Sequence, residues 1–141
     1  ARLLGVHEAA AAWRARTDTA RAALALRQTP LGRYVYLIWR GPWMAAGQDS
    51  FITAMLAEAG GVNALADHPE RFPTVTAAEL ATLDPERVLL SSEPFPFRSK
   101  HIDELVRATG LPEERFTLVD GELCSWHGVR MEAGFRYLAE V

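Results

Sequence analysis

The sequence predicts a three-layer α/β fold with a mostly parallel sheet, preceded by one long helix. Three short apolar segments read as strands, and none alternates apolar with polar residues, as expected when helices cover both faces of a sheet. Segments with helical periodicity separate them, which favours parallel pairing through right-handed crossovers. We therefore predict a long helix over residues 1–28 and a Rossmann-like α/β unit over residues 33–141.

Composition limits the classes of protein that the chain can be. Its 141 residues suffice for one domain with a substantial core. Nucleic-acid binding normally requires a basic surface, and the net charge of this chain is -3, so we expect no nucleic-acid partner. No apolar run approaches the length of a membrane span, and residues 1–27 lack the apolar region of a signal peptide. If the protein is exported, we expect its signal to be absent from this chain.

The first helix is predicted from an apolar stripe with alternating spacings of three and four. The stripe consists of Leu3, Val6, Ala10, Trp13, Thr17, Ala20 and Leu24. Nothing interrupts it before Thr29 and Pro30, so the helix is long for a domain of this size. Two interpretations are open from the periodicity: an ordinary amphipathic helix packed on the sheet, or a spacer that connects to a second lobe.

The middle of the chain is predicted to form a strand and two helices. The strand covers about 34–39, and a loop over residues 40–47 follows it. Asp49 or Ser50 can cap the next helix, which Gly60 and Gly61 stop. After a polar stretch, a short helix runs from Thr76 to about Leu83.

The last third of the chain continues the alternation of strands and helices. A strand over 88–91 precedes a helix that we expect Ser99 to cap and Gly110 to end. Another strand covers 116–119, and the final helix carries Met131, Phe135 and Leu138 on its apolar face.

Aromatic side chains follow the ends of all three predicted strands. They are Trp39, Trp43, Phe95, Phe97 and Trp126. Ligands of open α/β sheets bind outside the carboxyl ends of the strands. Flat aromatic faces at that edge suit a large, partly apolar ligand or a partner surface. The pattern therefore favours a binding protein over an enzyme.

Catalytic, metal and nucleotide sites find little support in the motifs. Cys124 and His127 are close in sequence, and a small cytoplasmic α/β enzyme using them is the alternative function, but a nucleophile pair must meet in space. The four histidines are scattered and Cys124 is the only cysteine, so we predict no metal site. Neither glycine-rich phosphate-binding motif is present.

Three charged residues have two interpretations each. Thr76 and Glu79 fit a capping box, which would account for Glu79 locally. Glu79 could instead be a docking carboxylate. Arg40 and Arg98 border aromatic loops, where each is either a solvated surface residue or a cation that pairs with ligand acids.

Most of the chain resembles the second lobe of the periplasmic substrate-binding proteins of ABC importers for cobalamin or ferric siderophores. The matching segments are YLIWRGPWMAAG (36–47), FI (51–52), ML (55–56), AGGVN (59–63), PTVT (73–76), EL (79–80), LDP (83–85) and VLLSS (88–92). In that family one long helix joins two α/β lobes, and ligand binds between them. Residues 1–28 resemble the joining helix, which favours the spacer interpretation.

The resemblance implies roles for particular positions. Glu79 matches a surface glutamate that engages arginines of the membrane permease, so docking becomes the favoured role. Ligand contacts are implied in three loops: Trp39, Arg40 and Trp43; Phe95, Phe97 and Arg98; and Trp126 and His127. Trp126 is the contact we single out, because cobalamin-binding members place tryptophans against the corrin edge.

The resemblance also implies partners that this chain does not supply. The family has a first lobe before the joining helix, so we expect this chain to be the C-terminal part of a longer protein. The ligand is expected to be cobalamin or a ferric siderophore, with haem as a further option, and no other cofactor is expected. A periplasmic or membrane-anchored extracytoplasmic location follows. A single lobe would expose half a cleft, whose aromatic face could drive homo-oligomerisation.

Overall fold

A computed structural model describes residues 5–141 of the chain. The described part contains six α-helices and five strands in a mixed order. The helices are α1 His7–Ala25, α2 Phe51–Glu58, α3 Ala77–Leu83, α4 Ser99–Thr109, α5 Gly121–Ser125 and α6 Met131–Leu138. The strands are β1 Gly32–Trp39, β2 Met44–Ala45, β3 Gly61–Asn63, β4 Arg87–Ser91 and β5 Phe116–Val119. The fold is therefore α/β, as predicted.

The sheet is mostly parallel and is built around β1. On one side β1 pairs in parallel with β4, which pairs in parallel with β5. On the other side its first half pairs in parallel with β3, and its second half pairs antiparallel with β2. The carboxyl ends of β1, β4 and β5 consequently meet at one edge of the sheet.

Two apolar cores lie on opposite faces of this sheet. Side chains alternate along β1, so Tyr34 and Tyr36 enter one core while Val35 and Leu37 enter the other. The first core is completed by side chains of α1, α2 and α6, and the second by side chains of α3 and α4. The three-layer arrangement follows from burial of both faces, which also explains why the strand sequences do not alternate.

Helix α1 is buried against the rest of the described chain mainly in its C-terminal half. Thr17, Ala20 and Leu24 are buried, whereas Val6 is 47% exposed and no residue from 5 to 16 is buried. Arg16 and Arg21 form ion pairs with Glu132 of α6 and Glu58 of α2. The apolar stripe therefore extends beyond the surface that this part of the chain covers.

The helix differs in length from the prediction over residues 1–28. Residues 1–4 lie outside the described residues, and α1 ends at Ala25. The amides of Leu26 and Arg27 donate to carbonyl oxygens three residues earlier, at 3.1 Å each, which tightens the last turn. The Arg27 side chain then binds the carbonyl oxygens of Thr29 and Leu138.

Helix caps confirm two predictions and correct one. The Ser50 hydroxyl accepts from Thr53 N at 3.2 Å and caps α2. Gly110 ends α4 with a positive φ of 72°. The prediction that Ser99 caps α4 is wrong: Arg98 is the capping residue, and its backbone N–H donates to Nδ1 of His101 at 2.9 Å.

Candidate ligand-binding site

An open groove of about 670 Å³ lies at the edge where the parallel strands end. Ile38 reaches it from β1, the segment after β4 contributes Glu93, and Trp126 follows α5. Its further lining residues are Ser50, Phe51, Ile52, Arg71, Phe72, Pro94 and Ser125. This position is where open α/β sheets bind ligands.

Backbone hydrogen bonds bring the 71–72 segment to the groove. The Ala45 and Gly47 amides donate to the carbonyl oxygens of Pro73 and Arg71, at 2.9 and 2.8 Å. A Cβ atom on Gly47 would lie 2.5 Å from the carbonyl oxygen of Glu70, so this approach requires glycine. Phe72 thereby becomes a groove wall, although its sequence neighbourhood is polar.

Trp126 is 47% exposed and is held by contacts at its edge and face. Its Nε1–H donates to Oε2 of Glu93 at 3.1 Å. The guanidinium carbon of Arg130 lies 5.8 Å from the ring centroid, and Arg130 also pairs with Glu122 at 3.3 Å. One face of the indole is therefore covered by a guanidinium, while the residue also lines the groove.

The charged groups of the groove are of both signs. Arg71 places its guanidinium carbon 5.5 Å from the centroid of the Phe72 ring. Glu93 provides the carboxylate. Sequence reasoning missed both residues, because neither stands in a motif and both reach the groove only through tertiary packing.

Four predicted contact residues form an aromatic cluster beside the groove, on the other face of the sheet. Trp43 stacks on Phe97 with centroids 6.1 Å apart, and Phe95 lies 4.8 Å from Phe97. Trp39 packs edge-on to Phe95 at 5.7 Å and is 41% exposed. Phe97 is only 6% exposed and packs into the second core, so its position supports the cluster instead of presenting an open face.

Polar groups on α4 hold this aromatic cluster in place. The Arg40 guanidinium donates twice to the Glu104 carboxylate, at 2.8 Å each, and lies 5.6 Å from the centroid of Trp43. His101 packs against Phe95 and Phe97, and its burial lowers its pKa. Arg98 is exposed at the start of α4. The charge of Arg40 is thus already matched by a carboxylate.

Cys124 and His127 do not have the environments of a nucleophile and its base. Cys124 is 0% exposed, and burial raises the pKa of its thiol to about 12. His127 is exposed and packs edge-on against Phe51, with ring centroids 5.6 Å apart. A buried thiol with a raised pKa lacks the accessible thiolate that a cysteine nucleophile needs.

Glu79 lies on a second groove, away from the sheet edge. Its carboxylate accepts from the N–H and the hydroxyl of Thr76, which completes the predicted capping box on α3. These hydrogen bonds lower the pKa of Glu79. The carboxylate remains exposed beside an apolar groove of about 390 Å³ that includes Leu65, Val75 and Leu83.

Residues 5–141 contain neither a candidate metal-binding cluster nor a candidate membrane-spanning helix. No cluster of three or more histidine, cysteine, aspartate or glutamate side chains in this part has the geometry to hold a metal ion. None of the helices described there combines the length and hydrophobicity of a membrane span.

The fold is similar to that of periplasmic binding proteins. No family model and no curated protein matches the sequence. The vitamin B12-binding protein BtuF of Vibrio cholerae has a TM-score of 0.72 and 18% identity, over 94% of this chain and 51% of that chain. The heme-binding protein RhuT of Roseiflexus sp. RS-1 has a TM-score of 0.74 and 22% identity, over 99% and 57%. An Fe3+-hydroxamate transport protein of Saccharomonospora viridis has a TM-score of 0.65 and 19% identity, over 92% and 46%.

These comparisons define the class of fold. The chain spans about half the length of the solved structures that it matches. It has the fold of part of a periplasmic binding protein, so the resemblance found in the sequence is confirmed at the level of the fold. The three proteins are binding or transport proteins by name.

Proposed function

We propose that this chain is the C-terminal lobe of the substrate-binding component of an ABC importer and that it binds a metal complex in the groove at the sheet edge. The observation that carries the proposal is Trp126, an exposed indole fixed at the carboxyl edge of a parallel sheet. The ligand class is cobalamin, a ferric siderophore or haem. Structures with this fold include binding proteins for vitamin B12 and heme and a protein of an ABC-type Fe3+-hydroxamate transport system.

Binding in this proposal is non-covalent and depends on flat apolar contact. Trp126, Phe72 and Phe51 cover the ligand, because their rings line the groove. Trp39 and Trp43 contact the ligand at the neighbouring rim, with Phe95 and Phe97 supporting them. His127 extends the groove wall beside Phe51.

Arg71 is the cation that we assign to ligand acids in the groove. The sequence pointed to Arg40 and Arg98 as cations for ligand acids. Arg40 is paired with Glu104, whereas Arg71 lines the groove, so we add Arg71 to these candidates. Arg71 forms no ion pair with residues 5–141, so its charge can meet a carboxylate or another anionic oxygen of the ligand. Arg98 contributes a second positive charge near the rim.

A second lobe completes the binding site in this proposal. Helix α1 serves as the interlobe helix, which accounts for an apolar stripe that continues beyond its buried half. The surface around the carboxyl edge of the sheet is the face of the lobe that would meet the first lobe. It carries both the groove and the aromatic cluster. In isolation this face can drive self-association. A strictly monomeric chain in light scattering at high concentration would contradict that part of the proposal.

The permease is the other partner. Glu79 supplies the docking carboxylate, and its groove offers apolar surface beside the charge. Delivery to a membrane permease places the protein outside the cytoplasm, either free in the periplasm or anchored to a membrane.

Calorimetric titration of the complete two-lobed protein with cyanocobalamin, haemin and ferrichrome tests the ligand proposal. One of these complexes should bind, and Trp126→Ala should weaken that binding by about tenfold or more, as expected for a central aromatic contact. Trp13→Phe on α1 provides a matched control, because Trp13 is outside the groove. No binding of any complex, or equal binding by Trp126→Ala, would contradict the proposal.

A further inference from the structure

The segment between β4 and α4 reaches the groove beside Trp126 and is tightly packed there. The Ser91 hydroxyl accepts from Tyr36 Oη at 3.0 Å and donates to the Glu93 carbonyl oxygen at 2.6 Å. The Glu93 N–H donates back to the Ser91 oxygen at 3.2 Å. Ser91 and Tyr36 are both fully buried, so the backbone of Glu93 is fixed to the core of the protein.

The start of α5 fixes the same segment from the other side. The Gly121 N–H donates to the Ser92 hydroxyl oxygen at 2.9 Å. A Cβ atom on Gly121 would lie 2.5 Å from Ser91 Oγ and 2.7 Å from Glu93 N, closer than real Cβ contacts. Ser92 N also donates to the Val119 carbonyl oxygen at 2.9 Å. Glu93 and the helix that leads to Trp126 are therefore joined by direct packing and hydrogen bonds.

The side chain of Glu93 connects this hydrogen-bonded segment to the indole of Trp126. Its Oε2 accepts the Nε1–H of Trp126 at 3.1 Å, across 33 residues of sequence. Trp126 follows the last turn of the five-residue helix α5, where its backbone N–H donates to Glu122 O at 3.0 Å. A short helix end by itself leaves the indole free to rotate about its side-chain bonds. The carboxylate fixes the indole edge, and Arg130 contacts one ring face.

We infer that Glu93 is a positioning residue of the groove, which fixes the Trp126 indole edge-on so that one ring face is presented to the ligand. The inference rests on the proposed function for its consequence in binding. Charge is not required for this role, because a glutamine amide oxygen can accept the same hydrogen bond. Loss of the acceptor should leave the fold intact and allow the indole to turn, which lowers affinity through lost preorganisation.

The indole N–H signals of the 15N-labelled chain test the positioning without any ligand. Trp126→Phe identifies the signal of Trp126. In Glu93→Ala that signal should move to the position of a water-exposed indole and exchange faster with solvent, whereas Glu93→Gln should retain most of the original shift and protection. Glu114→Ala, which removes an exposed carboxylate outside the groove, is the matched control. An unchanged Trp126 signal in Glu93→Ala would overturn the inference.

The affinity of the complete two-lobed protein for cyanocobalamin, haemin or ferrichrome, whichever binds, tests the consequence for binding. Glu93→Ala should weaken binding about fivefold, as expected for one hydrogen bond, and Glu93→Gln should restore it to within about twofold. Equal affinity of Glu93→Ala and the unchanged protein would overturn the role in binding. Failure of all three complexes to bind the complete two-lobed protein would contradict the proposed function. The indole signal would still decide how Trp126 is held.

Discussion

The carboxylate of Glu79 accepts hydrogen bonds from both the backbone N–H and the hydroxyl of Thr76, at 2.7 and 2.8 Å, and the Glu79 N–H donates back to that hydroxyl at 3.1 Å. One exposed residue therefore closes the start of α3 and carries the charge that we propose for permease docking. A cap and a docking group make different demands on the side chain, because a cap needs an acceptor whereas docking on arginines needs a charge.

The capping role predicts a loss of stability when the Thr76 hydroxyl is removed. Thr76→Val should lower the free energy of unfolding by about 1 kcal/mol, measured by urea denaturation at neutral pH. The Thr76 hydrogen bonds hold the pKa of Glu79 below its usual 4.5, so their stabilisation is present above that pH and is lost as pH falls through the lowered pKa. The difference between the two proteins should therefore shrink in acid. A constant difference at all pH values would argue against this coupling.

The docking role predicts that charge removal at Glu79 separates binding from transport. Glu79→Gln keeps an acceptor for Thr76 and removes the negative charge. In the complete two-lobed protein, it should bind its metal complex with unchanged affinity and deliver it to the permease more slowly. Trp126→Ala should show the opposite pattern, with impaired binding. Equal losses of affinity in the two variants would contradict this division of roles.

Burial of Cys124 predicts an unreactive thiol. Because its pKa is raised to about 12, iodoacetamide at neutral pH should modify the folded chain far more slowly than the urea-unfolded chain. The unfolded thiol ionises near pH 9.0, so this group should reduce stability as pH rises from there toward 12. Native modification as fast as that of the unfolded chain would revive the enzyme alternative.

Two aromatic residues of the cluster should differ in their effect on stability. Phe97 is buried, so Phe97→Ala should cost about 3–5 kcal/mol of unfolding free energy. Trp39 is partly exposed, so Trp39→Ala should cost less than about 2 kcal/mol. Chemical denaturation of the two variants measures both values. Similar costs would mean that Trp39 is also part of the core.

The main elements of the fold could be predicted because their signals are local. The strand over 116–119 is observed with the predicted bounds, and Thr76 and Glu79 form the predicted capping box. Strands β2 and β3 have two and three residues and exist through pairing with β1, which no local pattern marks. The cap of α4 was missed because the acceptor is a histidine three residues along.

The candidate site could be predicted only in part, because tertiary contacts that no local pattern marks bring several of its residues together. Trp126 was identified because it follows a strand. Arg71 and Phe72 reach the groove through hydrogen bonds from Ala45 to Pro73 and from Gly47 to Arg71, which join parts of the chain that are distant in sequence. Phe51 lines the groove from the first turn of α2, a role that its place in a helix does not mark.

Mapping of the bound metal complex onto the chain by NMR tests the central claim most directly. If the groove is the site, cyanocobalamin should shift signals of the groove residues, and the paramagnetic iron of haemin or ferrichrome should broaden them. The Trp126 indole should respond strongly and the Trp13 indole on α1 weakly. A bound complex that perturbs α1 or the Glu79 groove and leaves Trp126 unchanged would contradict the account.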